Sequence, residues 1–155
     1  KTGLIPINMF GITAGHYQNV ITENGVSILI RSSLYDKNYN YKNLSQTVIR
    51  SFGWMKTNLS STISNSIIYV TFVPKLDTRS IPASNCFIVD DDLLVEKNHS
   101  QNILLHLQLV KLTAQIWFGI DMTPEWYDDL WLNKSFSTFF AYHILKQLSE
   151  NVSLN

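Results

Sequence analysis

Two stretches constrain the fold of this chain more than any other feature. Residues 100–118 and 133–149 are each long, apolar and periodic at helical spacing. The first ends at Gly119, a residue suited to stopping a helix. In the second, Phe136, Phe139, Phe140 and Ile144 are expected on one side. Helices of this kind draw most of their stability from packing an apolar face against something else. The preceding residues must therefore supply a partner surface.

That surface reads as a sheet. Residues 66–73 are β-branched and aromatic and stop at Pro74, which predicts a strand. Residues 4–12 and 26–31 also read as strands, with Asn24-Gly25 marking a turn before the second. Phe87-Ile88-Val89 predicts a short strand ahead of an acidic turn at Asp90-Asp91-Asp92. Residues 42–57 place Leu44, Val48, Ile49, Phe52 and Met55 at helical spacing. Residues 75–85, with Pro82, and residues 120–130, with Pro124, read as loops. Strands and one helix, followed by two long helices, predict an α+β domain with helices packed on a mixed sheet.

The 155 residues suffice for one domain with a sizeable core. Lys and Arg number 12 and Asp and Glu number 12, so no net charge argues for a nucleic-acid partner. No apolar run approaches the ~20 residues that span a bilayer. Lys1-Thr2-Gly3 opens the sequence without an initiator Met or a signal peptide, as in a processed or excised part of a longer chain. Cys86 stands alone, so no internal disulfide is possible, and a lone thiol reads as a small packed hydrophobe. Asn-x-Ser sequons begin at Asn43, Asn58, Asn98, Asn133 and Asn151, and they favour a secretory route, extracellular or on a membrane-associated ectodomain. The Asn133 sequon falls in a segment expected to be buried and so unused.

The segment Lys111-Leu112-Thr113-Ala114-Gln115-Ile116-Trp117-Phe118-Gly119 resembles the zinc-binding helix of the aminopeptidase N family, His-Glu-x-x-His-x-Trp-Phe-Gly. Residues 123–137, with Leu130-Trp131-Leu132-Asn133, resemble that family's Trp-Trp-x-Asp-Leu-Trp-Leu-Asn-Glu-Gly-Phe-Ala. The family's Gly-Ala-Met-Glu-Asn motif falls on Ile81-Pro82-Ala83-Ser84-Asn85. The resemblance implies the N-terminal half of a thermolysin-like (gluzincin) catalytic domain over residues 16–155. Residues 1–15 would then close an N-terminal β-domain. It also implies that Trp117, Phe118, Trp131, Leu132 and Phe136 hold the two long helices together, with Asp128 and Asp129 capping or pairing near the second.

Zinc catalysis of this type needs three protein ligands and an open position for water. His-x-x-x-His sets two imidazoles one turn apart on one helix face. A Glu on the next helix is the third ligand, and the Glu beside the first His takes the proton from water. Carried over by position, the ligands would be Lys111, Gln115 and Lys134 and the general base Leu112. The spacing survives and the chemistry does not. An ammonium has no lone pair, Gln offers only a neutral carbonyl, and Leu accepts no proton. The residue that would hold a peptide's free amino group is Ser84, uncharged, beside a retained Asn85. His106 and His143 lie about 140° and 180° from the vacated positions on their helices, and read as packed or surface residues.

The expectation is therefore a catalytically inactive aminopeptidase-like domain without zinc, a binding or scaffolding module for a protein or peptide partner. Two alternatives stand beside it. One is an active zinc aminopeptidase that removes N-terminal residues. The other is a structural subunit of a large assembly, nuclear or cytoplasmic, with incidental sequons. Lys111 and Lys134 would converge in such a fold. They would then either hold a small anion or a peptide carboxylate, or pair locally with acids or reach out to solvent.

Overall fold

A computed structural model describes residues 10–59, 67–95 and 99–153. Five strands form one mixed sheet, flanked by helices. In chain order these are β1 (Tyr17–Glu23), β2 (Val26–Arg31), α1 (Tyr41–Asn58), β3 (Ile68–Val73), β4 (Ser80–Ala83), β5 (Cys86–Asp90), α2 (Asp92–Val95), α3 (His99–Ile116) and α4 (Leu130–Ser153). The order across the sheet is β1-β2-β3-β5-β4. The α+β expectation with a mixed sheet holds in this architecture.

The pairing follows from the connections. Asn24-Gly25 joins β1 and β2 as an antiparallel hairpin, and both residues carry positive φ, 47° and 83°. Asn-Gly tolerates that backbone better than other pairs, which is why it marks the turn. β2 runs parallel to β3, and α1 makes the crossover that parallel strands require. β5 lies parallel to β3 and antiparallel to β4. The central strands are buried and rich in Val, Ile and Phe, as expected when a sheet is covered. Ile28, Ile30, Val70, Phe72, Phe87 and Val89 meet Leu44, Val48 and Met55 of α1 and Leu105, Leu109 and Leu112 of α3 in one core.

Several expectations need correction. Among the described residues the first strand is Tyr17–Glu23; of the expected strand at 4–12, residues 10–12 are irregular and residues 4–9 lie outside the described residues. Residues 80–83 form an edge strand and not a loop. Pro82 pairs in register with Phe87 there, since an edge strand tolerates a missing N–H. Gly119 does not stop the long helix. From Trp117 to Asp121 the turn widens to a π-helix, with Phe118 out of helical geometry and the Met122 N–H bonded to the Trp117 carbonyl at 2.8 Å. α4 begins at Leu130, three residues early, after a short 3-10 turn at Tyr127–Asp129.

The buried line of α4 is Ser137, Ala141 and Ile144, whereas Phe136 and Phe139 are exposed. Trp131 points outward too, at 61% exposure, so it does not join the helices. Phe118 carries that role. It stacks between Phe136 and Phe140, with ring centroids 5.5 and 5.2 Å away. Trp54 of α1 adds a second clasp, donating from Nε1 to Gln147 Oε1 at 2.6 Å. Asp128 and Asp129 lie in the short 3-10 turn before α4, where the Asp129 N–H donates to the Trp126 carbonyl at 3.1 Å. Among the described residues no helix is long and apolar enough to cross a membrane.

Candidate functional site

α3 is apolar nearly all round in its second half. Leu109, Val110, Leu112, Thr113, Ala114 and Ile116 are all buried. One stripe escapes. Gln108, Lys111 and Gln115 follow i, i+3, i+7 spacing, so at 100° per residue they lie within about 60° of one another. This stripe faces β4 on one side and the first turns of α4 on the other.

A cleft of about 390 Å³ opens there. Arg79, Ser80 and Pro82 line it from the edge strand, Gln108, Lys111 and Gln115 from α3, and Lys134 from α4. The structure thus brings together three of the four positions singled out in the sequence. The fourth, Leu112, is fully buried in the core and does not line the cleft. Ser84 and Asn85 occupy the tight β4–β5 turn, where Ser84 Oγ donates to Asn85 Oδ1 at 3.4 Å, and neither lines the cleft. Sequence reasoning missed Arg79, Ser80, Pro82 and Gln108. Gln108 was discoverable from its stripe with Lys111. Arg79 and Ser80 were hidden because Pro82 made their segment read as a loop.

The electrostatics of the cleft are one-sided. Arg79, Lys111 and Lys134 bring three cationic groups, and among the described residues no carboxylate is part of the lining. Among the described residues the ion pair formed is Arg31 with Asp91, at 2.6 Å. Ser80 Oγ donates to Gln108 Oε1 at 3.2 Å, which turns the Gln108 carbonyl to the strand.

This donor set does not fit zinc. Lys111 and Lys134 bring ammoniums without a lone pair, and Gln108 and Gln115 bring only neutral amides. Among the described residues no histidine lines the cleft. His106 is half-buried on another side of α3, its Nδ1 2.8 Å from Thr47 Oγ1, in a separate cavity with Asp36, Tyr39 and Asn43. Burial pushes its pKa down. His143 is exposed and packs on Phe139 and Trp54. His16 is exposed before β1. Among the described residues, the group with metal-ligand spacing is Asp90, Asp91 and Asp92. There Asp91 is held by Arg31, and Asp90 Oδ1 accepts the Asp92 N–H at 3.2 Å. Cys86 is half-buried, 3.6 Å from Thr71 Oγ1, and burial pushes its thiol pKa up, as suits a packed side chain.

No family model matches the sequence. Short stretches do match known aminopeptidases. Over 49 residues it is 45% identical to Probable aminopeptidase 1 of Sulfurisphaera tokodaii, covering 32% of this chain and 6% of that protein. Over 86 residues it is 46% identical to Tricorn protease-interacting factor F2 of Thermoplasma acidophilum, covering 54% and 11%. Over 83 residues it is 30% identical to Glutamyl aminopeptidase of Mus musculus, covering 45% and 9%. The chain is locally aminopeptidase-like. It spans no more than 11% of the length of these three relatives. Such short local matches support kinship with aminopeptidases of the aminopeptidase N type, and the mixed α+β architecture is compatible with a peptidase domain.

Proposed function

We propose that this chain is an aminopeptidase-like domain that has lost its metal and its chemistry and retains its cleft for binding. The observation that carries the reading is the convergence of Lys111, Gln115 and Lys134 on one cleft while Leu112 is packed into the core. An aminopeptidase of this type would use those positions for two imidazoles, a carboxylate ligand and a general base. Here the cleft gathers positive charge where a dication would sit, and the base position has become core. Packing residues persist around it, chiefly Trp117 and Phe118.

On this reading residues 16–155 represent part of a thermolysin-like domain and residues 1–15 the end of a preceding one. A protein or peptide partner engages the scaffold, and the secretory route is the compartment. Asn43 and Asn58 are exposed on α1, so glycans at those two positions would support that route. Asn133 is half-buried, its Nδ2 donating to the Met122 carbonyl at 3.4 Å.

The test is metal analysis of the purified chain before and after incubation with zinc, together with aminoacyl reporter hydrolysis. We expect substoichiometric zinc and no turnover above buffer. One equivalent of tightly held zinc, or reporter cleavage abolished by a chelator, would overturn the reading in favour of a working peptidase.

A further inference from the structure

We infer that the cleft between β4, α3 and α4 binds a small molecule through a phosphate group or a comparably charged oxyanion. This deepens the reading of a metal-free binding cleft and rests on it. The first observation is charge. The whole chain is neutral, yet Arg79, Lys111 and Lys134 reach one cleft from three different elements. No acidic side chain lines it, and no ion-pair partner is assigned to any of the three among the described residues. Like charges gathered in a concave site repel one another, and a bound anion relieves that repulsion.

The second observation is donor geometry. Arg offers a planar fork and each Lys three donors, a set that matches phosphate oxygens. Ser80 orients the Gln108 amide through its carbonyl, and Gln115 lies about two turns further along the same stripe, with Lys111 between. The cleft wall therefore supplies donors from α3 in addition to charge. The helices that carry these donors are held by the core. α3 is held by Leu109, Leu112 and Ala114 in the core, and α4 is clasped to it through Phe118.

The third observation is size against charge. A volume of about 390 Å³ lies at the lower end of small-molecule sites. It exceeds the share of one water, about 30 Å³, many times over. A carboxylate carries a single charge and would leave most of the positive charge unanswered. A group with two or three negative charges answers it, and space remains for an organic remainder.

The experiment titrates the full chain at low salt, by calorimetry, with pyrophosphate, inorganic phosphate, phenyl phosphate and acetate, and in parallel with zinc. We expect saturable binding that weakens with added salt. Pyrophosphate should bind tightest, and acetate about tenfold or more below it. Lys111→Met and Lys134→Met should each weaken pyrophosphate by about tenfold or more, while Lys37→Met, outside the cleft, leaves it unchanged. Circular dichroism confirms that each variant is folded. Phenyl phosphate binding above inorganic phosphate would assign the remaining space to an organic group, and equal affinity would assign the free anion; either supports the inference. No saturable binding up to roughly 10 mM anion overturns it. So does an equal loss in the Lys37→Met control. Stoichiometric zinc would instead overturn the metal-free reading beneath it. Absence of both zinc and anion binding would leave that reading standing and remove only this one.

Discussion

On the proposed reading, placing three metal-binding side chains in the cleft should create a metal site. The variant Lys111→His, Gln115→His, Lys134→Glu keeps Leu112 and so leaves the core alone. Lys111 and Gln115 are half-buried and Lys134 is exposed. Surface changes of that kind cost within about 0.5 kcal/mol each, so the metal-free variant should stay within about 1.5 kcal/mol of the parent. The three substitutions also remove two of the three positive charges and add one negative. A three-ligand site with a dissociation constant of about 1 µM corresponds to about −8 kcal/mol. Zinc at about 100 µM then stabilises the fold by about 2.7 kcal/mol. In a domain of this length each kcal/mol moves the melting temperature by about 2–4 °C, which predicts a rise of about 5–11 °C. Differential scanning fluorimetry with and without zinc measures it, with calorimetry for stoichiometry. The parent chain should show no zinc-dependent shift. A folded variant that binds no zinc would refute the claim that these three positions converge, and the pseudopeptidase reading with it.

Three further outcomes follow from the packing. Arg31→Met strands Asp91, which is 4% exposed, at the end of β5. A broken buried pair costs about 3–5 kcal/mol, but Arg31 itself is more than a third exposed, and solvent screening reduces the expectation to about 1–2 kcal/mol by urea denaturation. Phe118→Ala should cost about 3–5 kcal/mol, because it removes the ring between Phe136 and Phe140, whereas Trp131→Ala should stay within about 0.5 kcal/mol. Burial depresses the His106 pKa, so the unfolded chain takes up its proton first as pH falls. Stability should therefore decline as pH drops below about 6.5, the unfolded value, until the folded pKa is passed, and His106→Gln should flatten that slope in melts between pH 5 and 7.5.

How much of this was legible in the sequence depended on the rigidity of the element concerned. Helical spacing is fixed at 100° per residue, so Lys111 and Gln115 could be placed on one face without a structure. Asn24-Gly25 specified its turn because few other pairs accept two positive φ values. The β4 strand was illegible, since Pro82 is a legitimate edge residue but reads as a breaker when the sheet order is unknown. With β4 unseen, Arg79 and Ser80 could not be assigned to the cleft. The outward turn of Trp131 was hidden for a different reason: an aromatic residue at the start of a helix reads as packing, and only the stacking of Phe118 on Phe136 and Phe140 shows which ring fills the interface.

The four positions matched to the aminopeptidase N motif are not equivalent in what their exchange would require. Lys111, Gln115 and Lys134 reach the cleft surface, and exchanging them leaves the core intact. Leu112 is fully buried among the residues that seat α3 on the sheet. Placing a carboxylate there loses a buried Leu, about 1.5–3 kcal/mol, and strands a polar group, about 1–3 kcal/mol more. Against a total stability of about 5–15 kcal/mol that is a large fraction. On the proposed reading, the three cleft positions are open to exchange, while the Leu112 position is committed to packing. The same asymmetry frees the cleft. With Leu112 serving the core, the stripe of Gln108, Lys111 and Gln115 is what α3 presents to the cleft, and the positive charge there sets what the proposed occupant must carry.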